Sequence, residues 1–236
     1  GTETPAAPAA APAAAPHAWR AAGPPTSTAT PLKVLLVGDP AVGKSSLASR
    51  LAGNGVDSVA EEHIPTAGPE IQTRLLRAGG ACRRVQVWDV GGHDLLHTAP
   101  VQASMLRGLD GVLLVYDVAA RPTFDNLPHW VQVLQSCAEP RTCLMIVANK
   151  VDACAGVRAV TTGEGQALGQ ALRVPFAEVS AATDPDLSNL LVTLLEKGCP
   201  EPHWSAAGAA ALPRAPEAAR AGGCASATPG GTGAVA

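Results

Sequence analysis

The sequence predicts an α/β domain built on a mostly parallel, doubly wound sheet. Near-continuous apolar runs of strand length recur along the chain, as in strands covered on both faces by helices. Segments with apolar residues at three- and four-residue spacing lie between them, and this alternation is the signature of the class. A glycine-lysine loop, Gly38-Asp39-Pro40-Ala41-Val42-Gly43-Lys44-Ser45, sits between the first apolar run and the first helical pattern.

The first run is Leu32–Val37, a buried strand leading into that loop, and Ser45–Leu51 begins a helix behind it. Glu70–Leu76 and the alternating Arg83–Trp88 read as a hairpin turning at Gly79-Gly80. Gly111–Tyr116 and Cys143–Ala148 are further buried strands, and Val174–Val179 is the last. A helix spans Arg121–Cys137, with Phe124, Leu127, Val131 and Leu134 on one side. Thr162–Leu172 is a weaker helix, because Gly165 and Gly169 lower its propensity. Asp186–Lys197 carries Leu187, Leu190, Leu191, Leu194 and Leu195 behind an acidic start.

Residues 1–30 and 199–236 are rich in Ala, Pro and Gly and have no spaced large apolar residues, so both are expected to be disordered tails around one domain at residues 31–198. The net charge of -3 and the lack of a basic stripe argue against nucleic-acid binding. No apolar run approaches a membrane span, and no secretory h-region is present. The six cysteines form no CxxC pair and read as reduced thiols of a cytoplasmic protein. None lies in a C-terminal prenylation box, so no direct lipid anchor is expected and membranes would be reached through partners.

The loop fits G-x-x-x-x-G-K-[ST] in the strand–loop–helix setting that its mechanism needs. Backbone amides of Asp39, Ala41, Val42, Gly43, Lys44, Ser45 and Ser46 would form a nest for phosphate oxygens at a helix start; Pro40 has no N–H to give. Lys44 would reach the β- and γ-phosphates, and Ser45 would bind Mg²⁺. Asp89-Val90-Gly91-Gly92 follows the Trp88 strand. Asp89 would hold Mg²⁺ through water, and the Gly92 N–H would meet the γ-phosphate. Asn149-Lys150-Val151-Asp152 follows the Cys143–Ala148 strand. The Asp152 carboxylate can accept from both guanine N1–H and the 2-amino group, a donor pair adenine lacks. Ser180-Ala181, after the last strand, could offer an N–H to guanine O6. Thr66 is placed to complete the Mg²⁺ shell only when a γ-phosphate is present. Four short motifs in this order, each at a strand end, specify a guanine nucleotide and Mg²⁺; a kinase or ATPase would not need Asn149–Asp152. Asp117 also ends a strand near the site and reads as a cap of the next segment.

With these motifs, and with Val87-Trp88-Asp89, Val115–Val118, Thr123–Asn126 and Trp130, the chain resembles small Ras-like GTPases, closest to the Rab branch, over Leu32 to Lys197. The resemblance implies a P-loop NTPase G domain with a six-stranded sheet and five helices. It implies a monomer that binds GTP or GDP with Mg²⁺ and switches the loops around Thr66 and Gly92 to meet protein effectors, an exchange factor and an activating protein. Gly43, Lys44, Ser45, Thr66, Asp89, Gly92, Asn149, Lys150, Asp152, Ser180 and Ala181 are the site residues it carries over.

The chain departs from that pattern at several places. His93 replaces the glutamine that orients the attacking water, so slow GTP hydrolysis is expected, with Lys44, Thr66 and Gly92 completing the catalytic set. Val59 stands where an aromatic stacks on guanine, which favours faster GDP release. The three aromatics of the Rab effector face become Ile71, Trp88 and Met105, and Pro100 lies inside the second switch, so a non-standard partner is expected. Two functions follow: a GTP-hydrolysing switch, or a non-cycling pseudo-GTPase scaffold subunit of a trafficking complex.

Overall fold

The computed structural model describes residues 30–55, 68–78, 81–91, 106–139, 142–154 and 157–196. Both expected tails, except Thr30, lie outside the described residues, as do Val59, Thr66, Gly92, His93, Pro100 and Met105.

Six strands, β1 (Leu32–Val37), β2 (Glu70–Ala78), β3 (Ala81–Asp89), β4 (Gly111–Asp117), β5 (Cys143–Asn149) and β6 (Phe176–Glu178), form one sheet in the order β2-β3-β1-β4-β5-β6. β2 runs antiparallel to β3, from Glu70 opposite Asp89 to Ala78 opposite Ala81, and every other pairing is parallel. The strand order reverses beside β1, where doubly wound sheets place their ligands.

Alternation along each central strand divides the core into two layers. Leu35, Val37, Val112, Leu114, Tyr116, Leu144 and Ile146 face one side. There they meet Leu127, Trp130, Val131 and Leu134 of α3 (Leu127–Cys137) and Leu168 and Leu172 of α4 (Thr162–Leu172). Val34, Leu36, Leu113, Val115, Met145 and Val147 face the other side. Their partners are Leu47 and Leu51 of α1 (Lys44–Ala52) and Leu190, Leu191 and Leu194 of α5 (Ser188–Glu196). Burial on both faces is why these strands lack a polar alternation in the sequence.

Three boundaries differ from the sequence reading. The expected helix over Arg121–Cys137 is two, α2 (Arg121–Asp125) and α3, separated by Asn126. Pro128 in the first turn of α3 has no N–H to return to the preceding turn, so the ladder stops there and restarts. The last strand is shortened to Phe176–Glu178, because Arg173 takes a left-handed conformation (φ 55°) and the Val174 N–H closes α4 on the Gly169 carbonyl at 2.9 Å. α5 begins at Ser188, whose N–H donates to the Asp186 carboxylate at 2.8 Å; Asp186 is a cap ahead of the helix.

α4, read as weak from its glycines, has a strong start. The Thr161 hydroxyl accepts the Glu164 N–H at 3.2 Å, and the Glu164 carboxylate accepts the Thr161 N–H at 2.9 Å, a reciprocal capping box. Arg121 pairs with the same carboxylate. The Thr161 N–H, then the Arg121 guanidinium, then the Thr161 hydroxyl hold the Glu164 carboxyl down to about 2. Thr161→Ala is expected to cost about 1 kcal/mol of stability in chemical denaturation. Because the folded-state value lies below the ordinary 4.5, the contribution of Glu164 is present above that pH and is lost as pH falls from there toward about 2. The stability gap between wild type and Glu164→Gln should close over that acid window; a gap unchanged down to its lower end would contradict the assignment.

Candidate nucleotide site

The parallel strands bring the ends of β1, β3, β4, β5 and β6 to one edge of the sheet. The described residues of the motifs read from the sequence fall on that edge. The chain leaving β1 turns at Gly38, where an added Cβ would lie 2.1 Å from the Val115 carbonyl oxygen of β4. It turns again at Gly43 (φ 92°), where a Cβ would lie 2.4 Å from the Asn149 amide nitrogen. Both contacts require glycine, and together they press the loop onto β4 and the end of β5. Ala41 between them is also left-handed (φ 63°). The Leu47 N–H then closes on the Gly43 carbonyl at 3.0 Å and α1 begins.

Lys44 is 7% exposed and curls back over the loop, where its ammonium donates to the carbonyls of Gly38 (2.9 Å) and Asp39 (2.8 Å). Burial pushes its pKa down to about 8, against the opposing pull of Asp89 and Asp39. Asp89, at the end of β3, is 1% exposed, and among the described residues neither carboxylate oxygen has a hydrogen-bond partner. An orphaned carboxylate at this depth is costly unless a cation or its water meets it. Ser45 is exposed in the first turn of α1. A buried carboxylate and a hydroxyl are oxygen donors suited to Mg²⁺, so this donor set fits the metal the sequence implies. Thr66, the third expected ligand, and Gly92 and His93 lie outside the described residues.

Asn149, 1% exposed, fastens two parts of the site together. Its amide donates to the Val42 carbonyl of the glycine-lysine loop at 2.9 Å, and its side-chain oxygen accepts the Ala181 N–H at 3.1 Å. The Ala181 amide, expected to serve the base, is thus already engaged by Asn149. Lys150, left-handed at φ 67°, donates to the Ala41 carbonyl at 2.7 Å and pairs with the Asp117 carboxylate at 2.9 Å. Asp152 follows on an exposed 3₁₀ turn, Val151–Cys154. Ser180 is fully buried; its N–H donates to the Asp184 carboxylate (2.8 Å) and its hydroxyl accepts the Thr183 N–H (3.0 Å). Val42 is buried, Ser46 is half-buried, and the Asp39 carboxylate is held by Asn126 and Trp130.

Three contributors were missed or half-read from sequence. Asp117 accepts the Ala119 N–H at 2.9 Å, as expected of a cap, and in addition anchors Lys150. Asp184 orders the turn after β6, and the buried Arg50 of α1 donates to its carbonyl. No local pattern points to the Arg50–Asp184 or Lys150–Asp117 tie, since the partners in each come from distant parts of the chain.

Residues 33–199 match the model of the Ras family. Ras-related protein RABA3 of Arabidopsis thaliana is 34% identical over 165 residues, covering 70% of this chain and 68% of that protein. Ras-related protein Rab11D of Nicotiana tabacum is 36% identical over 165 residues, 69% and 71% of the two chains. Ras-related protein SEC4 of Saccharomyces cerevisiae is 33% identical over 163 residues, 69% and 73% of the two chains.

Proposed function

The chain belongs to the Ras family of small GTPases and to its Rab branch, and on that premise we propose that it is a guanine-nucleotide switch that hydrolyses GTP slowly. The observation that carries this reading is a buried lysine at the start of α1, whose ammonium donates to the Gly38 and Asp39 carbonyls, together with a buried carboxylate at the end of β3 that has no hydrogen-bond partner among the described residues. A triphosphate with Mg²⁺ answers both at once.

In this reading the Lys44 ammonium, placed over the loop by the Gly38 and Asp39 carbonyls, would reach the β- and γ-phosphate oxygens. The amides of the loop and the start of α1 receive the remaining phosphate charge. Ser45 and Asp89 would hold Mg²⁺, which would supply charge neutralisation to the phosphates. Asn149 and Lys150 keep the loop in register with the turn after β6, and Asp152 selects guanine. Thr66 and Gly92 would close on the γ-phosphate and release after hydrolysis.

His93 is the reason for slow turnover: an imidazole replaces the amide that positions water, and phosphoryl transfer depends on that positioning. His93→Gln is expected to raise the single-turnover rate on the order of 10- to 100-fold. Equal rates in the two proteins would overturn the slow-turnover reading. GTP that co-purifies and persists unhydrolysed in both would instead indicate a non-cycling scaffold subunit.

For partners, the outer face of β2 and β3 is the proposed docking surface. Ile71 is 48% and Leu75 is 45% exposed there, and Ile71 lies opposite Trp88 in register. The Lys33 ammonium sits 4.1 Å above the Trp88 ring. An aliphatic residue in place of an aromatic favours an effector different from the usual Rab partners. Recruitment to membranes through such partners is part of the same reading; among the described residues, no helix is long and apolar enough to cross a membrane.

A further inference from the structure

Asp39 places a negative charge in a loop built to bind anions. Where that carboxylate points therefore bears on how tightly the loop can hold phosphate. Both of its oxygens are taken: one accepts the Trp130 indole N–H at 2.7 Å, the other the Asn126 side-chain amide at 2.7 Å. Short bonds from neutral donors to a carboxylate are charge-assisted and stronger than ordinary ones. We propose that Trp130 and Asn126 are positioning residues of the phosphate loop, which hold the Asp39 carboxylate against α3 and thereby keep its charge off the nucleotide and its backbone in the shape that receives phosphate. The proposal rests on the nucleotide-binding reading above and adds to it a brace.

The brace is rigid for reasons visible in the fold. Trp130 is 1% exposed and packs in the core layer with Leu127, Val131 and Leu134, so its N–H cannot wander. Asn126 occupies the break between α2 and α3; its N–H bonds to the Pro122 carbonyl at 3.0 Å, and its own carbonyl receives the His129 N–H at 3.0 Å. The interruption that sequence periodicity did not anticipate is thus what aims this amide at the loop. The Asp39 carbonyl accepts the Lys44 ammonium, so the brace and the phosphate-binding lysine meet on one residue. Asn149 and Lys150 fix the other side of the loop through Val42 and Ala41. Loss of the brace frees the charge beside the phosphates and one end of the loop together.

If Trp130 were only a core residue, a phenyl ring would serve nearly as well and Asp39 would not matter to the result. The test is GDP dissociation from the purified full chain with Mg²⁺, followed with a fluorescent GDP analogue, in wild type, Trp130→Phe, Asn126→Ala, Asp39→Ala and Asp39→Ala/Trp130→Phe. Trp130→Phe and Asn126→Ala are each expected to speed release about tenfold. Once Asp39 is alanine, Trp130→Phe should change release by less than about twofold, because the partner is gone. The Trp130 indole N–H resonance should lie downfield in wild type and return toward the free-indole position in Asp39→Ala. Release at the wild-type rate in both Trp130→Phe and Asn126→Ala, or a Trp130→Phe effect that persists undiminished without Asp39, would overturn the brace while leaving nucleotide binding intact. Failure of wild type to bind GDP would overturn the site reading and the brace with it. Asn126 is half-buried and outside the core layer, so its variant tests the brace through the other Asp39 oxygen if Trp130→Phe does not fold.

Discussion

The Lys44→Met protein is expected to bind GDP and GTP about 10²- to 10³-fold more weakly than wild type while unfolding at nearly the same denaturant concentration. The two halves of this expectation come from one observation. The Lys44 ammonium is buried, it donates to two neutral carbonyls, and burial has pushed its pKa down to about 8. The lowered value says that burial costs the charged form more than Asp89 and Asp39 return. Replacing the ammonium with a thioether of similar length removes that cost along with the two bonds, so folding loses little. Binding is different. A bound phosphate that has lost this buried cation is left with uncompensated charge, and breaking such a pair typically costs about 3–5 kcal/mol. Titration calorimetry and a denaturant series on the same samples decide the matter. A large loss of stability with unchanged affinity would make Lys44 a structural residue and remove the phosphate reading.

How far the sequence could be read depended on whether a residue's partner was near it in the chain. The central strands were legible because Leu32–Val37, Gly111–Tyr116 and Cys143–Ala148 are apolar along nearly their whole length, as two-sided burial requires. The hairpin was legible from the alternation in β3 and the glycine pair, and its register follows. The break at Asn126 was hidden because Phe124 before it and Leu127, Val131 and Leu134 after it keep one three- and four-residue spacing; the missing N–H of Pro128, not the apolar pattern, decides. In the site, the places of the described motif residues at strand ends were legible because each motif follows an apolar run of strand length. The ties between them were not. Asn149 reaches Val42 across 107 positions, Trp130 reaches Asp39 across 91, and Lys150 finds Asp117 on the neighbouring strand. Folding brings these together through sheet order, and a single sequence carries no local mark of it. The same holds for Ala181, whose amide looked free for the base and is held by Asn149.

Asp152→Asn is expected to lower affinity for GDP about 10²- to 10⁴-fold and to leave a protein that prefers the xanthosine diphosphate. Asp152 lies on an exposed turn directly after the left-handed Lys150, so its side chain is not part of the core and the substitution should not disturb folding. The effect must therefore come from the base. Guanine presents two donors side by side, N1–H and the 2-amino group, and a carboxylate accepts both with its charge assisting each bond. An amide keeps one acceptor and sets its own N–H₂ against the second donor, so one bond is lost and a donor–donor clash replaces it. Xanthine has an oxygen where guanine has the amino group. That oxygen can accept from the new amide while N1–H still meets the side-chain oxygen, so the pairing is restored with the polarity of one bond reversed. Against wild-type Asp152 the same xanthine oxygen would face a carboxylate and be rejected. Competition between the two diphosphates in wild type and variant thus reads the sign of a single contact: a reversal of preference assigns base selection to Asp152, and an unchanged preference for guanosine in the variant would move that role to another residue.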